Sequence, residues 1–316
     1  MSSVASSKVC QLNFDTWIVD KLENENTSPI SKTYPALNYE IPSAKESADM
    51  IDAIKQDLSE GKMRVSGSND NTVWEKGWGE VYQNVTQHGV NKQQLNPQYF
   101  GKYDYLRLDG QFIKPLTEGF EAQLDLWIRE YIFSRYLKGQ NRIVELGCGT
   151  GNSLLLLNQL FPNAELVGAD WASASQKIVN AIAHKTAANI IGVNLNMLTL
   201  QGFDELQITY DSAVISVHAL EQLGDNYRDL TDALIKSTPK LCVHLEPVIE
   251  NYTSDNDFDQ LAQEYHTKRN YLGPWLTYLQ QKESTGEIRI LENKRLGFGG
   301  VYHEAYSLVV WQSVFK

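Results

Sequence analysis

The stretch RIVELGCGTG, residues 142–151, sets a short apolar run against three glycines at alternate positions, and NSLLLLNQLF follows it. The pattern predicts a buried strand, a tight turn and a helix. Glycine adopts open left-handed conformations at little cost and lets backbone approach a ligand closely, so Gly147, Gly149 and Gly151 predict a bound cofactor. The dinucleotide pattern G-x-G-x-x-G is not met. The third glycine, Gly151, comes one residue early and Asn152 stands where that pattern requires glycine. Glu145, just before the first glycine, would repel a pyrophosphate but would accept hydrogen bonds from a cofactor that presents an amine. The next strand-like run, AELVGAD, ends at Asp170. In a doubly wound sheet a carboxylate there reaches ribose hydroxyls. The two carboxylates describe a ligand that carries both a nucleoside and an amine.

VELGCGTG and LVGADW resemble the first and second motifs of the class I S-adenosylmethionine-dependent methyltransferases. The resemblance covers roughly residues 120–250 and extends to a C-terminal strand pair. It implies an α/β fold: a Rossmann-like, doubly wound, mostly parallel seven-stranded sheet with a C-terminal antiparallel pair and an N-terminal helical and irregular cap. It also implies S-adenosyl-L-methionine as cofactor and methyl transfer as activity. Carried over by position, Gly147, Cys148, Gly149 and Gly151 line the methionine part of the cofactor, with Glu145 by its amino group. Asp170 holds the ribose hydroxyls, and Trp171 lies against the adenine or belongs to ordinary core packing. Where the family often has an acidic residue after the third strand, GVNLNML offers Asn196, followed by Met197. The Asn196 carbonyl can still accept from the adenine amine.

Around this centre, strand-like runs RIVEL, AELVGAD, NIIGVN, SAVISV and KLCVHLE alternate with the helical candidates SASQKIVNAIAHKTA and NYRDLTDALIKS. Runs so short and continuous suit a parallel sheet covered on both faces. EIRILENKRL and AYSLVVWQSVF, joined by a turn containing Gly297, Gly299 and Gly300, predict the terminal antiparallel pair. Upstream, Phe120, Leu124, Trp127, Ile128, Tyr131 and Ile132 form one helical stripe. Ser43 and Glu46 form a capping-box pattern before an apolar helix face that stops at Gly61. Residues 71–116 are rich in aromatics and glycine without a long period, as suits a cap over a site or a segment wrapped on the core. Residues 1–40 read as a semi-ordered arm, with LENENTSPISKTYP an extended connection and Phe14, Trp17, Ile18 and Val19 able to dock. The expected division is an arm, helix and cap over residues 1–118 and a cofactor-binding domain over 119–316.

In open α/β sheets ligands bind beyond the carboxyl ends of the strands. His218 follows SAVISV directly, which makes it the first candidate for a base that takes a proton from a hydroxyl acceptor, or else a backbone contact to the cofactor. His303, with Tyr302 in the turn GFGGVYHEAY, is a second catalytic candidate. Glu246, at the end of KLCVHLE, and Glu250, in the PVIE that follows, either orient the acceptor or belong to a solvated loop. Arg107 of YLRLDG grips the cofactor carboxylate or an acidic acceptor, or lies on the surface. Tyr302 completes the expected acceptor lining. His244 reads as a satisfied core histidine, and Lys268 with Arg269 as a solvated helix face.

The chain has 39 acidic and 28 basic residues and a formal charge of -11, which argues against tracking a phosphate backbone. It also lacks the asparagine-or-aspartate, proline, proline, aromatic tetrapeptide of enzymes that methylate nucleic-acid bases. A small-molecule or sugar-like acceptor is therefore expected; a peptide acceptor and an inactive cofactor-binding subunit are the alternatives. Three scattered cysteines, Cys10, Cys148 and Cys242, suit a reducing compartment and no metal site. With neither a leader-like start nor a long apolar run, a cytoplasmic protein with no membrane partner is expected. Oligomeric state is not legible.

Overall fold

The computed structural model describes residues 8–22, 31–96 and 100–314. The start of the expected arm and most of its extended connection, residues 1–7 and 23–30, lie outside them. The rest of the arm is structured: β1 (Lys8–Leu12) and β2 (Leu37–Ile41) pair antiparallel and flank α1 (Phe14–Leu22). Phe14, Trp17 and Ile18 of α1 are buried, in the same core as Trp127, Ile128 and Tyr131 further along. α2 (Ala44–Glu60) starts at the expected capping box, with Ser43 and Glu46 each accepting from the other's backbone, and ends at Gly61 in the left-handed region.

The next segment is more regular than its composition suggests. It holds α3 (Thr72–His88), the short α4 (Lys92–Leu95) and a hairpin of β3 (Leu106–Leu108) and β4 (Gln111–Pro115). Two glycines, Gly77 and Gly79, sit inside α3, and only Val81 and Val85 are buried, so no apolar stripe announces it.

Then come α5 (Phe120–Tyr136), β5 (Arg142–Leu146), α6 (Asn152–Leu160), β6 (Glu165–Asp170), α7 (Ser173–Thr186), β7 (Ile190–Asn194), β8 (Ser212–Val217), α8 (Tyr227–Ser237) and β9 (Leu241–Glu246). The chain closes with α9 (Asp257–Arg269), α10 (Trp275–Ser284), β10 (Ile288–Arg295), β11 (Phe298–Gly299) and β12 (Ser307–Ser313). Seven strands form one sheet in the order β10-β12-β9-β8-β5-β6-β7. Strands β9, β8, β5, β6 and β7 are parallel, and β12 runs antiparallel between β9 and β10.

Both faces of this sheet are covered. Ile143, Ile215 and Val243 belong to the core on one face, and Val144, Val214 and Cys242 to the core on the other. That two-sided burial is why these strands read as unbroken apolar runs rather than as alternation. A second sheet has the order β1-β2-β4-β3-β11. Because β11 lies between β10 and β12 in the chain yet pairs with β3, the terminal strand pair is stitched to the N-terminal hairpin. The three cysteines are free, and no helix of the described residues is long and apolar enough to cross a membrane.

Candidate functional site

The strand order reverses at β5, so its carboxyl end opens a crevice between neighbouring connections. There the backbone turns through Gly147, Gly149 and Gly151, with φ of 70°, 50° and 70°. Each glycine is also demanded by a neighbour: an added Cβ would meet Ala219 Cβ at 2.4 Å from Gly147, Trp78 at 3.0 Å from Gly149 and Ile182 at 2.6 Å from Gly151. Side chains are thus excluded by the protein's own packing, and the open space lies beside the turn. Gly147→Ala is expected to cost at least about 2 kcal/mol in urea denaturation, from the left-handed φ together with the clash. An unchanged midpoint would show that the Ala219 connection can retreat.

Asp170, at the tip of β6, ties the turn together by accepting from the amides of Gly149 and Ala172, each at 2.9 Å. Burial pushes its pKa up to about 6. Asp170, Trp171 and Met197 line a narrow crevice of about 70 Å³ with Leu195, Leu198 and Trp74. Trp78, Gly147, His218 and Gln222 line both this crevice and an adjoining cavity of about 460 Å³. Glu145, Cys148, Gly149, Tyr302 and His303 face the larger space. Glu145 is buried, and its Oε2 has no hydrogen-bond partner. Burial pushes its pKa up to about 8 although Ser153 and Arg129 favour the charged form.

His218 takes φ 50°, rare for a residue with a Cβ, and its ring meets Tyr306 edge-on at 4.5 Å. Its Nδ1 stands 3.9 Å from Glu221 Oε2. Burial works against its charged form, but Glu221, Glu246 and Asp125 outweigh that and the pKa is raised. His303 behaves oppositely. Burial first, then the nearby His266, His218 and arginines, hold it well below the ordinary value.

Four expected site residues lie elsewhere. Glu246 is buried behind the wall and accepts from the amides of Ala219, Leu220 and Glu221, so it caps the connection after β8 and does not touch the cavity. Arg107 is fully buried, giving hydrogen bonds to the carbonyls of Val301 and Phe258 and lying 3.8 Å above the Phe258 ring. It braces the wall and lines neither space. The Asn196 carbonyl is committed to the amides of Leu198 and Thr199 in a local turn, leaving no free lone pair for an adenine amine. Gly151 packs under the turn against Ile182 and lines neither space.

Conversely, Arg269 is no solvated helix residue. It lines the larger cavity and donates to the Tyr271 hydroxyl at 2.7 Å. Arg129 also lines it, paired with Asp125 and bonded to Ser153. This pair was visible as Asp and Arg four apart inside an apolar stripe. His244 is satisfied in the core between Ser216 and Trp311. Glu250 caps α10 by accepting from the Thr277 amide. Among the described residues no group of three or more His, Cys, Asp or Glu side chains could hold a metal ion.

α3 crosses this region from the N-terminal side. Glu75 accepts from the amides of Ser173 and Ala174 at the start of α7, and Asn71 donates to the Trp171 carbonyl. That anchorage sets Trp74 and Trp78 over the glycine turn.

No family model matches the chain. It is 25% identical to the carboxy-S-adenosyl-L-methionine synthase of Campylobacter curvus, over 57% of this chain and 77% of that protein. The protein of the same name from Campylobacter hominis is 25% identical over 46% of this chain and 67% of its own length. Among solved structures, the [4+2]-cyclase SpnF superposes with a TM-score of 0.51 at 12% identity, covering 80% of this chain and 98% of the cyclase.

Proposed function

We propose that this chain is a class I S-adenosylmethionine-dependent methyltransferase that transfers the methyl group of S-adenosyl-L-methionine to a small-molecule acceptor, a reading supported by its glycine turn, its Asp170 strand tip and its likeness to S-adenosylmethionine-using relatives. One observation carries the acceptor reading: the cavity of about 460 Å³ runs from the glycine turn and Glu145 to a tyrosine-rich wall formed by α9, residues 300–306 and the N-terminal segment. A concave space of that size suits a small molecule. In this reading residues 1–118 are the cap, and residues 119–316 are the cofactor-binding domain.

The residues fit the cofactor. Glu145 lines the cavity and its buried Oε2 has no partner, which matches an amino group. The narrow crevice offers Trp171, Leu195, Met197 and Leu198 to a flat base, with Asp170 at its edge for ribose hydroxyls. Gly147, Cys148 and Gly149 leave room for the methionine end. Bound there, the cofactor supplies an electrophilic methyl group.

Of the two histidines, His218 takes the proton-accepting role. It lies where the two spaces meet, with Glu221 to favour its protonated form after the proton has moved. His303, held neutral by burial, is a weaker base. A base works when neutral, so kcat/KM is expected to rise with pH along a limb centred above the ordinary imidazole value. Glu221→Gln moves that limb to lower pH. His218→Asn lowers kcat by about a hundredfold or more and abolishes the limb, with S-adenosylhomocysteine affinity little changed. An unaltered pH profile in His218→Asn removes the role.

The relatives' name favours a second reading, in which the cofactor itself is the molecule altered. The deciding experiment incubates the protein with methyl-labelled S-adenosylmethionine and size-divided cell extract. Label moving to a small molecule supports transfer, whereas a cofactor that keeps its label and gains a carboxyl mass supports the second reading. Label confined to macromolecules overturns the small acceptor.

A further inference from the structure

Four acids line the large cavity; Glu221 accepts from the Gln222 amide group at 2.8 Å, and the charge of the other three is answered locally. Asp125 pairs with Arg129, Glu121 accepts from the Gly101 amide at 2.8 Å, and burial favours the protonated form of Glu145. Three cations of the same lining form no ion pair: Arg64, Lys102 and Arg269 have no carboxylate within 4.0 Å among the described residues, although the chain carries 39 acidic and only 28 basic residues. Glu221 acts on Arg269 through space but forms no ion pair with it.

Each of these cations rests on an aromatic ring instead: Arg64 at 5.1 Å from Trp74, Lys102 at 5.4 Å from Tyr103 and Arg269 at 4.8 Å from Tyr271. The three belong to one wall. Tyr103 meets Tyr302 at 5.8 Å, Tyr302 stacks on Tyr265 at 4.9 Å, and Arg269 lies over Tyr265. The backbone beside Arg64 is tied on by the Ser66 amide, which donates to the Arg269 carbonyl at 2.8 Å.

His303 belongs to the same wall, its ring 4.9 Å from Tyr265, and its hydrogen-bonding sense follows from a neighbour. Its Nδ1 is 2.9 Å from His266 Nε2, while His266 Nδ1 is buried without a partner. A buried bare lone pair is less costly than a buried orphan N–H. His266 therefore carries its proton on Nε2 and donates it to His303. The proton of neutral His303 is then on Nε2, its remaining nitrogen. All four groups offer N–H donors, three of them cationic, to one concave space.

We propose that the acceptor is an anion whose carboxylate or phosphate docks against Arg64, Lys102 and Arg269, with His303 Nε2–H as a further donor. This rests on reading the cavity as the acceptor site. The test uses the full chain loaded with S-adenosylhomocysteine and titrated with benzoate, phenyl phosphate and the uncharged benzamide. At least one anion is expected to bind about tenfold or more tightly than benzamide, and more weakly as salt is added. The tighter of the two anions identifies the group. Arg269→Gln, and separately Lys102→Gln at an exposed position, should each lower anion affinity severalfold while benzamide and S-adenosylhomocysteine affinities stay within about twofold. Benzamide binding as tightly as both anions, anion binding indifferent to both variants, or no anion binding at millimolar concentration overturns the proposal while leaving methyl transfer intact. Failure of S-adenosylhomocysteine to bind overturns the underlying reading instead.

Discussion

Glu145→Gln is expected to weaken S-adenosylhomocysteine binding by about ten- to a hundredfold and to make the ligand-free protein more stable than wild type at pH 8. The affinity loss follows from replacing a carboxylate that would receive an ammonium group in a buried site, a charge-assisted hydrogen bond worth about 1.5–3 kcal/mol. The stability gain follows from linkage. Burial raises the folded pKa from 4.5 to about 8, so across that window the native chain holds a proton that the unfolded chain has released. Stability therefore falls as pH rises, by up to about 1.4 kcal/mol per unit from this one group. Glutamine removes the slope. Urea denaturation from pH 5 to pH 8 should show the variant and wild type diverging with pH. Parallel curves would mean that Glu145 is ionised in the empty site. Wild-type affinity should also tighten as pH rises toward 8, because binding the amine requires the ionised carboxylate, and this tightening should vanish in the variant.

Arg107→Met is expected to cost about 2–4 kcal/mol of stability without a comparable loss of cofactor affinity. Methionine fills much of the volume over the Phe258 ring but leaves the Val301 and Phe258 carbonyls without their donors. It also removes a buried positive charge that shares its surroundings with Asp259 and Glu304, leaving Arg295 alone to answer both. Burial lowers the arginine pKa only to about 10, so the cation is present at neutral pH. Val301 adjoins Tyr302 and His303, so the loss should reach the acceptor wall: acceptor KM rises while S-adenosylhomocysteine affinity holds. Arg107→Lys should recover only part of the stability, because one ammonium group lacks the planar fork. A methionine variant as stable as wild type would show that the two carbonyls find water or other donors.

The five parallel strands and the terminal pair were legible because a doubly covered sheet writes itself as short apolar runs. The glycine turn was legible because its geometry is local, as was the capping box at Ser43 and Glu46. The acceptor wall was not. It is assembled from Arg64, Lys102, Arg269 and His303, which stand on four separate stretches of chain, and nothing local distinguishes Arg269 facing a cavity from Lys268 facing water. Arg107 was read as a ligand grip or a surface residue, and its burial could not be foreseen because it depends on Phe258 and Val301, more than a hundred and fifty positions away. The same holds for the glycines. Their spacing was readable, but the atoms that forbid side chains there belong to Ala219, Trp78 and Ile182. α3 escaped notice because its important face is not apolar in sum: Trp74 and Trp78 alternate with Glu75, Gly77 and Gly79.

The anchorage of α3 by Glu75 and Asn71 has a kinetic meaning. With Trp78 resting on Gly149 and both tryptophans lining the narrow crevice, a cofactor held as proposed would lie against a helix latched by the hydrogen bonds to Ser173, Ala174 and Trp171, and its release would be slowed where those bonds must open. Such an unlatching step would owe nothing to the acceptor. Chemically different acceptors would share one ceiling on turnover, and that ceiling would be set at the start of α7, away from the reacting atoms.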